Sequence, residues 1–191
     1  PGTNRDRDLE FALTLAGAAP KVVLATDLVH QPGLLRDARL VGVAGGFSYG
    51  DALGAGRMLA LDLMVGLGDA LTDYVATGRP LIGICNGFQV LTRTGLLPGA
   101  LGHNDHGRFD CRWVELDTEQ PSKCVWTTGI DDAIHCPIAH GEGRYVHPDP
   151  DALTSSGQVV LRYRGANPNG SIAGIAGVCN EAGNVLGLMP H

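Results

Sequence analysis

The segment Leu81-Ile82-Gly83-Ile84-Cys85-Asn86-Gly87-Phe88-Gln89 limits the choice of fold more than any other part of the chain. Leu81 to Ile84 is a short apolar run that Pro80 introduces, and Asn86 to Arg93 has helical spacing. A Gly-x-Cys-x-Gly turn therefore joins a buried strand to a helix, the form of a nucleophile elbow. Such a turn lifts one side chain above a sheet and crowds the backbone around it, so Gly83 and Gly87 are the residues it needs. Cys85 would then sit at a helix N-terminus, where partial positive charge favours a thiolate. The backbone N–H of Asn86 would point to where an oxyanion forms. The bland alternative is a buried cysteine in an ordinary strand–helix turn.

An elbow requires an α/β sheet, and the periodicity around it fits one. Thr3 to Gly17 reads as a helix, with Leu9, Leu13 and Ala16 on one face, Asn4 or Asp6 as cap and Gly17 closing it. Lys21 to Leu28 reads as a strand, and Leu40 to Ala44 as a short buried parallel strand. Ala52 to Thr77 is a long helical pattern interrupted by four glycines. Later extended segments are expected at 111–116, 123–128, 133–139, 159–164, 172–179 and 185–189, separated by Pro and Gly. The order predicts an α/β fold: a mostly parallel, flavodoxin-like doubly wound sheet with an antiparallel extension in the second half. With 191 residues, one domain over 1–191 is expected.

Composition narrows the function classes. Charged residues make up 18% and hydrophobic residues 44%, which suits a packed core and not a disordered chain. The net charge of -6 argues against a general nucleic-acid surface. No apolar stretch reaches membrane-span length, and no signal-peptide pattern opens the chain. The five cysteines form no C-x-x-C and leave one over, so a disulfide framework is not expected and a reducing cytoplasm is. Cys111, Cys124, Cys136 and Cys179 lie in strand-like segments and read as core thiols. A zinc site from His103, His106 and Cys111 lacks a second ligand pair, so no metal is expected.

A thiol that attacks an amide needs a base that later acts as acid, usually a histidine. Of seven histidines, His140 and His191 each follow an apolar run, as a strand-end catalytic residue would. Spacing does not decide between them; elbow enzymes place the histidine late in the chain, which favours His191. The glycine-rich loop Gly45-Gly46-Phe47-Ser48-Tyr49-Gly50-Asp51 follows a strand and would supply a second oxyanion donor. It does not match the phosphate-binding pattern G-x-x-x-x-G-K-[ST], nor does any other segment.

Together these residues resemble the class I (triad) glutamine amidotransferases. The finer resemblance is to the glutaminase subunits of phosphoribosylformylglycinamidine synthase, of the small, separate-subunit type. It rests on PGTNRDRD (1–8), GGFSYGD (45–51), GICNGFQ (83–89), NGFQVLTRTGLLPGAL (86–101), PIAHGEGRY (137–145), NPNGS (167–171) and NEAGNVLGLMPH (180–191), which span nearly the whole chain. The resemblance implies that Cys85 forms a glutamyl thioester and that His191 shuttles protons. It implies that Gly46 and Asn86 hold the oxyanion through backbone N–H groups, and that Gln89, His140 and Gly141 line the glutamine pocket. It further implies no cofactor in this chain. Ammonia would pass to an ATP-dependent synthetase subunit, where ATP and magnesium are expected, accompanied by a small accessory subunit. The family pattern reads Pro-His-Pro-Glu, with the glutamate as third triad member, and carries a strand before the PG-x-N stretch. Neither is in this sequence, so a longer protein is expected at both ends. Two other readings stay open: a non-catalytic docking module of the same complex, and another hydrolase of the elbow superfamily.

Overall fold

The structure is a computed structural model that describes residues 3–191. Pro1 and Gly2, the first two residues of the PGTNRDRD stretch, lie outside the described residues. The chain opens with α1 (Asp6–Leu15), α2 (Ala25–His30) and α3 (Gly33–Asp37), followed by β1 (Val41–Val43). Next come α4 (Arg57–Leu67), α5 (Ala70–Ala76), β2 (Leu81–Ile84) and α6 (Asn86–Arg93). The second half contains β3 (Ala100–Gly102), β4 (Asp110–Thr118), β5 (Ile134–His140), β6 (Arg144–Val146), α7 (Pro150–Ser155), β7 (Val159–Tyr163), β8 (Ile175–Cys179) and β9 (Val185–Leu188).

Seven strands form one sheet in the order β1-β2-β9-β8-β7-β4-β5, and β3 pairs with β6 in a separate two-stranded sheet. The α/β class and the antiparallel extension in the second half are as expected, but the extension outweighs the parallel part, so the sheet is mixed, not mostly parallel. Only β1–β2 and β2–β9 run parallel; the pairs β9–β8, β8–β7, β7–β4 and β4–β5 are antiparallel. The parallel part is confined to the three strands around the elbow, where β9 comes in beside β2 by a long crossover.

Two apolar clusters cover the two faces, and alternate residues of β2 and β9 supply them. Leu81 and Val185 join Phe88, Leu91, Met189 and the α4 residues Leu59 and Leu63 on one side. Leu186, with Ile82 packed beside it, joins Leu116, Ile138, Leu161 and Ala176 on the other. Among the described residues, no helix is long and apolar enough to cross a membrane.

Several boundaries differ from the sequence reading, each for a local reason. Lys21 to Leu24 pairs with no strand and is largely exposed; Ala25 starts a helix instead. The apolar residues Ala25, Leu28 and Val29 have helical spacing and pack into the α-side core. The pattern over 52–77 is two helices, because Gly68 adopts φ 51° and ends α4. Residues 123–128 form a turn-rich loop, not a strand. There the Cys124 carbonyl accepts from the hydroxyls of Thr127 and Thr128, and Trp126 Nε1–H donates to the carbonyls of Leu81 and Asn184. Burial of Cys124 and Trp126 anchors the loop without a ladder. The segment 172–179 starts as a 3-10 turn before becoming β8. Two short helices, α3 and α7, were not foreseen. α7 carries a readable signal: Asp149 caps it by accepting from the Ala152 N–H at 2.9 Å, with Pro150 at its first position.

Candidate active site

Cys85 lies at the junction of β2 and α6 with φ 52° and ψ -106°, a conformation costly for any residue with a Cβ. Backbone contact holds it there. The Cys85 N–H donates to the Leu188 carbonyl at 2.8 Å, and the Cys85 carbonyl accepts from the Gln89 N–H at 3.1 Å. A Cβ on Gly83 would lie 2.6 Å from the Gly87 oxygen, and a Cβ on Gly87 would overlap the Val43 oxygen. Both flanking glycines are therefore required by close approach of backbone to backbone.

The thiol is buried, and burial pushes its pKa up to about 11. The backbone N–H groups of Asn86 and Gly46 pull the other way, while the Asp51 carboxylate adds to the rise. The expected stabilisation of a free thiolate by the helix end is thus outweighed by desolvation. Asn86 and Gly46, the residues expected to hold an oxyanion, are thus the two whose backbone N–H groups act on the thiol. Gly46 adopts φ 91° and sits in a loop where Tyr49, Gly50 and Asp51 also have positive φ.

His191 stands across Gly45 from the thiol. A Cβ on Gly45 would lie 3.4 Å from Cys85 Cβ and 3.7 Å from His191 Nε2, so the two side chains flank a single point. The His191 N–H donates to the Pro137 carbonyl at 3.0 Å. His191 is exposed as a residue, but partial desolvation of its ring lowers its pKa, the Arg5 cation lowers it further, and Asp8 opposes them.

His140 occupies a different position. It is 4% exposed at the end of β5, and burial lowers its pKa to about 4. Asn104 fixes its tautomer. The Asn104 amide donates to the carbonyls of Arg108 and His140, both at 2.9 Å. Its oxygen then accepts from the Gly143 N–H and from His140 Nδ1, both at 3.1 Å. His140 Nε2 is left as an acceptor with no partner among the described residues. Gly141 begins the turn that follows, and its carbonyl accepts from the Asn104 N–H.

Gln89 ties this turn to the elbow helix. Its Nε2–H donates to the Glu142 carbonyl at 2.6 Å, and its Oε1 accepts from Asn86 Nδ2–H at 3.1 Å. The Asn86 side chain also donates to Asp51 at 3.0 Å and accepts from Ser48 Oγ–H at 2.7 Å. Cys85, Asn86, Gly46, Gln89 and His191 are thus assembled around the elbow, and His140 and Gly141 lie on the turn that Gln89 holds. Sequence reasoning missed Asn104, Asp51 and Glu142. AHGEGRY and GGFSYGD contain the last two, but Asn104 stands outside any motif and only the fold reveals its part. The four remaining cysteines differ more than expected: Cys124 and Cys179 are buried, Cys136 is half-buried and Cys111 is exposed. A shallow cleft of about 540 Å³, lined by His106, Arg108, Phe109, Asp110 and Arg112, lies away from the thiol. It adjoins the turn through Asp110, the register partner of His140.

A strained cysteine elbow at a strand–helix junction of a mixed α/β sheet defines a class. The model of the CobB/CobQ-like glutamine amidotransferase domain matches residues 1–191. The chain is 44% identical to the phosphoribosylformylglycinamidine synthase subunit PurQ of Treponema denticola, covering 100% of this chain and 83% of that protein. It is 46% identical to the PurQ subunit of Frankia casuarinae, over 100% and 80% respectively. The structure of PurLQS from Thermotoga maritima matches with a TM-score of 0.81 at 40% identity, covering 100% of this chain and 83% of that one. The chain belongs to the glutamine amidotransferase family, in its PurQ branch. Another glutamine amidotransferase of Thermotoga maritima shares the fold, with a TM-score of 0.56 at 15% identity over 100% of this chain and 73% of that one.

Proposed function

We propose that this chain is a glutaminase subunit that hydrolyses glutamine through a thioester on Cys85. Its ammonia goes to an ATP-dependent synthetase partner that makes formylglycinamidine ribonucleotide in purine biosynthesis. The observation that carries this reading is the meeting of Cys85, the Gly46 and Asn86 N–H groups and His191 around Gly45.

With burial holding the thiol neutral, the proton leaves as the sulfur attacks. His191 Nε2 accepts it while a C–S bond forms to the glutamine carboxamide carbon. The Gly46 and Asn86 N–H groups hold the oxyanion. Collapse breaks the C–N bond, and the proton on His191 goes to the departing ammonia. His191 then takes a proton from water, a C–O bond forms, the C–S bond breaks, and the sulfur recovers its proton. Glutamate leaves. The downward shift of the His191 pKa favours the neutral ring that a base requires. Gln89, His140 and Gly141 line the glutamine pocket, with His140 Nε2 offered as a neutral acceptor to a substrate N–H.

These steps need a nucleophile, a base and an oxyanion site, so the chain requires no cofactor; ATP and magnesium belong with the synthetase. PurLQS of Thermotoga maritima is by its name an assembly, which supports two partners here too, a synthetase and a small accessory protein. The same reading puts the chain in the cytoplasm as a single amidotransferase domain. Glutamate release by the full-length protein assembled with its synthetase tests it. Cys85→Ala is expected to abolish release, and release that survives the substitution would overturn it.

A further inference from the structure

The loop that carries Gly46 is fastened from outside the elbow as well as from within it. Asn4 lies just before α1, and its Oδ1 accepts from the Phe47 N–H at 2.9 Å. A Cβ on Gly46 would overlap that same oxygen, so the carboxamide lies directly against the oxyanion residue. Two successive N–H groups of the loop thus have separate side-chain acceptors: that of Phe47 goes to Asn4 and that of Ser48 to Asn86 Oδ1 at 3.3 Å, while the Gly46 N–H just before them acts on the Cys85 thiol. Asn86 approaches from the elbow side, Asn4 from the N-terminal segment.

This arrangement matters because Gly46 has few conformational limits of its own. Its φ of 91° is open to glycine, and its two flanking peptides turn freely unless something fixes them. Fixing the Phe47 N–H sets the plane of the 46–47 peptide, and the Asn4 carboxamide packed against Gly46 narrows the orientations left to the 45–46 peptide that carries the Gly46 N–H. Asn4 is in turn presented by a local turn. Thr3 donates to Asp6 Oδ1 from its N–H at 3.1 Å and its hydroxyl at 2.8 Å, and the Arg5 N–H donates to the Thr3 hydroxyl at 3.2 Å. The expectation that Asn4 caps α1 is therefore replaced: its side chain bonds the loop and leaves the helix alone.

We propose that Asn4 is a positioning residue for the oxyanion donor Gly46, acting through the Phe47 peptide. This rests on the reading of Cys85 as the glutamine nucleophile. An oxyanion donor acts on charge that exists only in the transition state, so its loss lowers kcat and leaves substrate affinity nearly alone. A residue that merely started α1 would lower thermal stability without that split.

The test is steady-state glutamate release by the full-length protein assembled with its synthetase partners, with thermal melts alongside. Asn4→Ala is expected to lower kcat roughly 10- to 100-fold with KM changed less than about twofold. Asn4→Asp keeps the acceptor oxygen and is expected to recover most of that loss. If the alanine variant does not fold, the near-isosteric pair Asn4→Asp and Asn4→Leu carries the same contrast, since only the first can accept from Phe47. Equal kcat for those two, or a kcat near that of the parent in Asn4→Ala, would overturn the proposal. Cys85→Ala separates the layers. Release that persists in it removes the glutaminase reading itself; release lost in it but normal in Asn4→Ala removes only the role of Asn4.

Discussion

The elbow and the two loops facing it are held by different kinds of contact. At the elbow, backbone meets backbone: Gly83 against Gly87, Gly87 against the Val43 carbonyl, the Cys85 N–H on the Leu188 carbonyl. The loops at 45–51 and 140–143 are held by side chains. Asn4 and Asn86 bind the first, assisted by a short contact between the Tyr49 hydroxyl and Asp62; Asn104 and Gln89 bind the second. Both regions store strain, in Cys85 at one and in Tyr49 and Asp51 at the other. Close packing allows one arrangement, whereas a set of hydrogen bonds can be exchanged for others. On the proposed reading of the site, the nucleophile is a fixed point and the oxyanion donor an adjustable one.

The largest expected effect breaks the fixed side. Gly87→Ala puts a methyl into the Val43 carbonyl oxygen, and α6 must shift as a body to admit it. A loss of about 3 kcal/mol or more in chemical denaturation is expected, together with loss of glutamate release. Wild-type stability would show that the elbow is not closely packed.

Next comes the side-chain-held turn at 140–143. Burial lowers His140 from 6.5 to about 4, so between these values the unfolded chain binds the proton more readily than the folded one. Stability conferred by the neutral ring is complete above pH 6.5. It falls by about 1.4 kcal/mol per pH unit on acidification, and the loss ends near the folded value. Denaturation between pH 7.5 and pH 4 should show this slope, and His140→Gln should flatten it by that amount. An unchanged slope would mean that the ring is solvated. The smallest effect is at the joint between the two regions. Ser48→Ala removes one hydroxyl donor to Asn86 and leaves the Ser48 N–H in place, so about 1 kcal/mol is expected. A cost above about 3 kcal/mol would place the loop among the packed parts of the molecule.

The two regions were also unequally legible in the sequence. The elbow was readable because its needs are local: a strand, two glycines around a cysteine, and a helix, all within 81–93. The loop's glycines were equally visible, but not what fastens them, because Asn4 and Phe47 are 43 residues apart. Asn104 was missed for the same reason, lying 36 residues from His140. Strand direction was legible only in part. The antiparallel character of the second half was as expected, but not that it makes up most of the sheet, because nothing within a segment such as β7 or β8 states which neighbour it takes. The exposed run at 21–24 shows the opposite error: β-branched residues suggested a strand where the fold supplies no partner. His191 was favoured only by its place late in the chain. Its approach to Cys85 across Gly45 belongs to the topology that inserts β9 beside β2.

The central claim, that Cys85 is the glutamine nucleophile, has a direct test. The full-length protein, assembled with its synthetase, is treated with a diazo-ketone analogue of glutamine and digested for peptide mass spectrometry. The account predicts one adduct, on Cys85, that excess glutamine suppresses and that Cys85→Ala abolishes. A label on exposed Cys111 or elsewhere, persisting in Cys85→Ala, would contradict it.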